Sequence, residues 1–354
     1  MEQRKKIYFF TMSLAKGGAE NQLVRLALYY KKKGYEVTII QTFPENDFVD
    51  ELTKNQIDNL EFRYNSPNGI RGLFSFIKKN RPDVIISFMF AANLVARAVK
   101  FRFKTPIITS VRSEKISKLY NFLYRISYKI DDFTVFNSAV SLSVFREKHL
   151  TLQKKSIYIP NAIIIDALPV LESKNSVFTL ISIAHFRPAK DYKTLFEAIK
   201  ILNDQNVPIK LIVLGKTLGQ EWPDIFLEKL GIKDLVEIKG YVPYPKEYFS
   251  KVDALVLSTF WEGTPNAILE AMANKLPIIS TDITVCNKLI TNAKCGFLSA
   301  PQDALDLSLK IQELMALPET EREMLGTNGY NYTVEHYSEN IVYEQWEKLI
   351  DNLL

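Results

Sequence analysis

Apolar residues along this chain fall into two alternating patterns, short unbroken runs and longer stretches with helical spacing. In the first half, residues 7–12 (IYFFTM), Glu36 to Thr42, Val84 to Phe88, Ile107 to Val111, Thr134 to Phe136 and Ile157 to Ile159 predict buried strands. Phe178 to Ala184, Ile209 to Gly215, Val236 to Lys239, Asp253 to Thr259 and Pro277 to Thr281 do the same in the second half. The spacing predicts helices between them, among others Ala19 to Lys33 ending near Gly34, Ala91 to Phe103, and Tyr192 to Asn203 capped by Asp191. Strand–helix–strand units in series imply α/β architecture. The pattern breaks between Ile163 and Asn175, which places a domain boundary there, with domains at 1–165 and 166–334 and a last helix from Glu335 to Leu353.

One unit carries recognisable chemistry. In Ser258 to Asn274, Thr264 reads as an N-cap and Pro265 as the first residue of a helix bearing Ala267, Ile268, Leu269, Ala271 and Met272. A helix N-terminus leaves backbone N–H groups unpaired and suits a phosphate. Glu262 lies just before this helix and Glu270 inside it, and carboxylates beside a phosphate repel it unless they hold something else. Sugar hydroxyls are suitable donors, which points to a nucleotide sugar. The alternative is a capped surface helix with solvated glutamates. Arg187 and Lys190, three apart on a strand-to-helix loop, could converge on a diphosphate or simply face water. Gly17-Gly18, between the first strand and helix, would let backbone approach a ligand or make an ordinary turn; no G-x-G-x-x-G dinucleotide fingerprint is present.

Composition narrows the class. The 354 residues are 47% hydrophobic and 24% charged, as in soluble globular proteins. The basic start, Arg4 to Lys6, leads into only a short apolar strand, so neither a signal peptide nor a membrane span is expected. Two cysteines, Cys286 and Cys295, make no disulfide framework, and three scattered histidines make no metal cluster.

The segment Glu262-Gly263-Thr264-Pro265-Asn266, followed by Glu270-Ala271-Met272-Ala273, resembles the E-x7-E signature of glycosyltransferase family 4, retaining enzymes of GT-B fold. That resemblance implies two facing Rossmann-like α/β domains with an inter-domain cleft, the N-terminal one taking the acceptor and the C-terminal one the donor, and a last helix crossing back to the first. It implies a hexosyl- or N-acetylhexosaminyltransferase using a nucleotide sugar, expected to be UDP-linked, with Arg187 and Lys190 stabilising the leaving diphosphate. Glu262 would hold sugar hydroxyls and Glu270 the ribose, with Gly263, Thr264, Pro265 and Asn266 on the donor and Tyr241 and Val242 at the base. Gly17 and Gly18 resemble the family's Gly-Gly-Ala-Glu, facing the donor phosphate and acceptor, and Glu114, after the strand ending at Val111, is an acceptor-side candidate or part of a helix N-cap region. No Asp-x-Asp pair occurs, which fits the metal-independent type, so neither metal nor cofactor is expected. The segment Asp282 to Lys288 lacks the family's Gly-Gly loop and Glu, which puts the floor of the sugar pocket in doubt and leaves a non-catalytic nucleotide-sugar-binding protein as the alternative.

Charge adds a partner. Residues 1–165 hold 27 Lys+Arg against 14 Asp+Glu, and the remainder 18 against 26. Lys115 to Lys129 is basic and aromatic, with Ile116, Leu119, Phe122, Leu123 and Ile126 on one side. It either packs on its own domain or lies on an anionic membrane, with Lys115, Lys118, Arg125, Lys129 and Lys31 to Lys33 attracting the surface and Tyr120, Phe122 and Tyr124 entering it. The expectation is a cytoplasmic enzyme, peripheral on the inner face of the membrane, extending a lipid-linked or surface glycan, with no nucleic-acid partner.

Overall fold

The computed structural model describes residues 4–15, 17–112, 116–165, 177–242 and 245–354. These divide into two compact units, one of residues 1–162 with 340–354, the other of residues 163–339. Glu114 and Lys115 lie outside the described residues.

The first unit runs β1 (Lys6–Phe10), α1 (Gly18–Lys32), β2 (Glu36–Gln41), α2 (Val49–Lys54), β3 (Asp58–Glu61), α3 (Pro67–Lys79), β4 (Val84–Phe88), α4 (Phe90–Phe103), β5 (Ile107–Val111), α5 (Lys118–Ser127), β6 (Phe133–Phe136), α6 (Ala139–Glu147) and β7 (Ser156–Tyr158). Its sheet is parallel, in the order β3-β2-β1-β4-β5-β6-β7. Both faces are covered, which is why the strands read as unbroken apolar runs. Alternate residues of β1 serve opposite cores: Ile7 and Phe9 meet α1, whereas Tyr8 and Phe10 meet α3 and α4. The edge strand β3 (DNLE) escapes a hydrophobicity reading because none of its residues is fully buried.

The second unit runs β8 (Phe178–Ile183), α7 (Tyr192–Asp204), β9 (Ile209–Leu214), α8 (Trp222–Leu230), β10 (Val236–Gly240), α9 (Lys246–Phe249), β11 (Ala254–Leu257), α10 (Asn266–Ala273), β12 (Ile278–Thr281), α11 (Thr284–Ala293), β13 (Gly296–Ser299), α12 (Ala304–Ala316) and α13 (Glu319–Tyr337). Its six parallel strands lie in the order β10-β9-β8-β11-β12-β13. The predicted last helix is in fact two, because α13 stops at Tyr337 and α14 (Glu339–Asp351) begins after Ser338, whose backbone is extended. There Ile163 N–H donates to the Tyr337 carbonyl at 2.8 Å. Val342, Tyr343, Trp346, Leu349 and Ile350 of α14 are buried in the core of the first unit.

Candidate donor site of the second unit

In an open α/β sheet, the crevice for ligands lies beyond the carboxyl ends of the strands where the order reverses. In the second unit that point falls between β8 and β11. The loops leaving these two strands are tied together. Ser258 Oγ donates to the carbonyls of Lys190 and Asp191 at 2.9 and 3.0 Å, Thr259 Oγ1 to that of Ala189 at 2.7 Å, and Phe260 N–H to the same carbonyl at 3.0 Å. These bonds bring together side chains 72 residues apart: Lys190 Nζ forms an ion pair with Glu262 Oε1. The Glu262 side chain is 9% exposed and that of Lys190 22%, so the pair is partly accessible. Burial pushes the Glu262 carboxyl above its ordinary range, against the opposing pull of Lys190 and the Thr259 hydroxyl.

Arg187 is exposed on the same loop and, among the described residues, has no carboxylate partner. His185, not assigned a role from the sequence, accepts the Lys216 backbone N–H on Nδ1 at 3.0 Å, which leaves Nε2 to carry the proton of the neutral ring. Burial lowers its pKa, and Arg187, Lys216 and Lys190 lower it further, so three cations gather around one neutral imidazole. This approach depends on Gly215, where a Cβ would meet the Ala184 carbonyl oxygen at 1.9 Å. Tyr241 lies against His185, ring centroids 6.1 Å apart, with Lys216 Nζ over its ring at 5.3 Å. Val242 packs on the core beneath α10. A cleft of about 690 Å³ runs beside β10 and is lined by Lys216 but by neither Lys190 nor Glu262.

The start of α10 differs from expectation. Asn266 N–H donates to the Thr264 carbonyl at 2.9 Å, and Pro265, at φ −79° and ψ 74°, occupies the centre of an inverse γ-turn. The helix therefore begins at Asn266, and Thr264 is not its N-cap. Similarly Asp191, at φ 46°, makes no side-chain cap for α7; its carboxylate accepts from the Thr194 hydroxyl at 2.7 Å. Glu270 lies one turn into α10, and a Cβ placed on Gly263 would meet nothing within 4 Å. In the departing segment, Cys286 is buried beside Ser280, its thiol pushed up to about 12 by burial, while Lys288 is exposed.

In the first unit, Gly17 is the N-cap residue of α1 and Gly18 its first residue. Glu20, in the first turn, turns back so closely that a Cβ on Gly17 would meet its Oε2 at 2.4 Å. Burial raises the Glu20 carboxyl, and a hydrogen bond from its own backbone N–H opposes this. A carboxylate thus already occupies this helix start.

The chain thus consists of two parallel-sheet α/β units, the second with cations and a buried glutamate at its switch point. Residues 167–332 match the model of glycosyl transferases group 1 and residues 16–167 that of Glycosyltransferase Family 4, and the chain belongs to these glycosyltransferases. It is 27% identical, over 98% of both chains, to the Campylobacter jejuni GalNAc-alpha-(1->4)-GalNAc-alpha-(1->3)-diNAcBac-PP-undecaprenol alpha-1,4-N-acetyl-D-galactosaminyltransferase. It is 22% identical to the Staphylococcus aureus capsular polysaccharide biosynthesis glycosyltransferase CapM, over 78% of each chain. The GT-B fold is shared with Anabaena HepE, solved with UDP and glucose, at a TM-score of 0.82, 16% identity and coverage of 99% and 100%. No helix among the described residues is long and apolar enough to cross a membrane.

Proposed function

We propose that this glycosyltransferase moves a sugar from a UDP-sugar to a hydroxyl of a lipid-linked glycan, with retention of configuration and without a metal ion. The observation that carries the reading is the Lys190–Glu262 pair at the β8/β11 switch point, with Arg187, which has no carboxylate partner among the described residues, on the same loop as Lys190. A donor diphosphate would compete for Lys190 and draw Arg187 to it. Glu262, released from its partner, would accept hydrogen bonds from sugar hydroxyls. As the bond from the anomeric carbon to the diphosphate breaks, negative charge grows on the leaving phosphate, where preplaced cations are most effective. The N-terminus of α10 and Glu270 would hold the rest of the nucleotide. In the family's retaining chemistry the leaving phosphate takes the acceptor's proton, so no separate protein base is required.

The Campylobacter relative's name specifies an undecaprenyl-diphosphate-linked glycan, and the HepE structures contain UDP or UDP-glucose, which supports the acceptor and donor classes. The test is transfer from a panel of UDP-hexoses and UDP-N-acetylhexosamines to a polyprenyl-diphosphate-linked saccharide in the presence of chelator. The expected product keeps the donor's α configuration and forms at an undiminished rate. Strict Mn²⁺ or Mg²⁺ dependence, or an inverted linkage by NMR, would overturn the mechanism. Donor binding without turnover would favour the binding-protein alternative.

A further inference from the structure

Four of the five most exposed large apolar side chains among the described residues fall within one short stretch: Phe101 (75%), Ile126 (68%), Leu119 (65%) and Phe122 (61%). Leu119, Phe122 and Ile126 follow the i, i+3, i+7 spacing that lines one face of α5. The opposite face is fixed to the protein. Tyr120 stacks on Phe90, Tyr124 is fully buried with its hydroxyl receiving Asn93 Nδ2 at 2.7 Å, and Ser127 receives Arg97 Nη1 at 2.9 Å. Phe101 lies one turn beyond Arg97 on α4, at the end where that arginine meets α5. The apolar ridge is therefore held outward by a rigid base.

The charges around it have one sign. Between Asp83 and Asp131 the sequence contains nine lysines and arginines and a single acid, Glu114. Lys118, Arg125, Lys129, Arg102 and Lys104 are exposed, and none pairs with a carboxylate among the described residues. By contrast Lys33 is paired with Glu347 at 2.8 Å, and Lys31 Nζ is bound to the Gln56 carbonyl at 2.5 Å. They also belong to α1, on the other face of the sheet, so Lys31 to Lys33 cannot share a flat contact with α5. Tyr124, expected to enter the interface, is excluded by its burial.

We infer that the α5 ridge, with the end of α4, is the surface by which this enzyme sits on an anionic bilayer. Leu119, Phe122 and Ile126 enter the headgroup region while Lys118, Arg125 and Lys129 meet lipid phosphates. An apolar ridge alone would suit a protein partner equally well, but cations without carboxylate partners among the described residues, in a stretch whose sequence holds a single acid, complement a negatively charged lipid surface. The inference adds a partner surface to the acceptor reading and rests on it for its purpose, whereas vesicle binding needs neither donor nor acceptor.

The test sediments the full chain with vesicles of phosphatidylcholine alone or mixed with phosphatidylglycerol. Wild type should pellet with the mixed vesicles only, and less as salt rises, because screening acts over about 8–10 Å. The Lys118→Glu/Arg125→Glu/Lys129→Glu variant should bind roughly a hundredfold more weakly, and Leu119→Ser/Phe122→Ser/Ile126→Ser roughly tenfold more weakly. Both should keep wild-type transfer to a water-soluble acceptor, since these side chains are exposed. Wild type left in the supernatant at low salt, or unchanged binding by both variants, would overturn the inference. So would a wild-type dimer that the serine variant dissociates, which would make the ridge a contact with a second copy. Vesicle binding without transfer to lipid-linked acceptor counts against the acceptor reading alone.

Discussion

Two ion pairs among the described residues, one in each unit, are built differently. In the first unit Arg97 and Asp131 are 2% and 1% exposed and meet through two guanidinium nitrogens, Nε at 2.8 Å and Nη2 at 2.7 Å. Ser127 takes a third bond from Arg97, and the Thr109 and Thr134 hydroxyls donate to Asp131 at 2.7 and 3.0 Å. Burial would lower the Arg97 pKa, and Asp131 more than reverses that, so the guanidinium is held above its ordinary value. In the second unit Lys190 offers a compact ammonium to one carboxylate oxygen at an accessible surface. A pair satisfied on every side has nothing left for a ligand; a pair joined at one point can exchange its partner. The burial of a charge is therefore a poorer guide to function than the hydrogen-bonding capacity it still has.

Removing one member of each pair separates the two roles. Arg97→Ala leaves Asp131 buried without its counter-ion and should cost about 3–5 kcal/mol of stability, read by denaturant unfolding, with catalysis per folded molecule little changed. Lys190→Ala should leave the unfolding midpoint near wild type and slow transfer by roughly a hundredfold or more, or about 2–4 kcal/mol of transition-state stabilisation. Near-normal turnover in folded Lys190→Ala would remove the distinction. A smaller effect should come from His185. Its pKa is lowered below 6.5 in the folded protein, so the unfolded chain binds more protons and stability is lost as pH falls through that unfolded value. Replacing it in His185→Asn should flatten the dependence of melting temperature on pH below 6.5, an effect absent if the ring were solvated.

Most of the sheet strands were legible because burial on both faces leaves an unbroken apolar run, as in Val84–Phe88 and Ile107–Val111, which match the structure end for end, whereas the outer strands β3 and β13, only partly buried, were not. The loop around Glu262 was legible from local punctuation, Gly263 and Pro265. Its detail was not, since Pro265 suits the first turn of a helix as well as the γ-turn that it adopts. The partnership of Lys190 with Glu262, and the place of His185 beside Lys216, depend on which strands become neighbours, and local spacing does not encode that. Periodicity marked α5 as amphipathic, yet it did not say that Tyr124 would face inward, because an aromatic residue with a polar tip suits either side.

The position of α14 bears on how the protein is made. Trp346 and its neighbours close the core of a unit whose other residues were synthesised before the whole of the second. During translation the second sheet can finish first, while the earlier one waits on the ribosome with the α14 side of its core uncovered, over Phe88 and Tyr29, which contact Trp346 and Tyr343. A nascent chain of this design is most vulnerable to aggregation and to chaperone capture until α14 has emerged, and loss of α14 would uncover the apolar residues of the first unit that it covers.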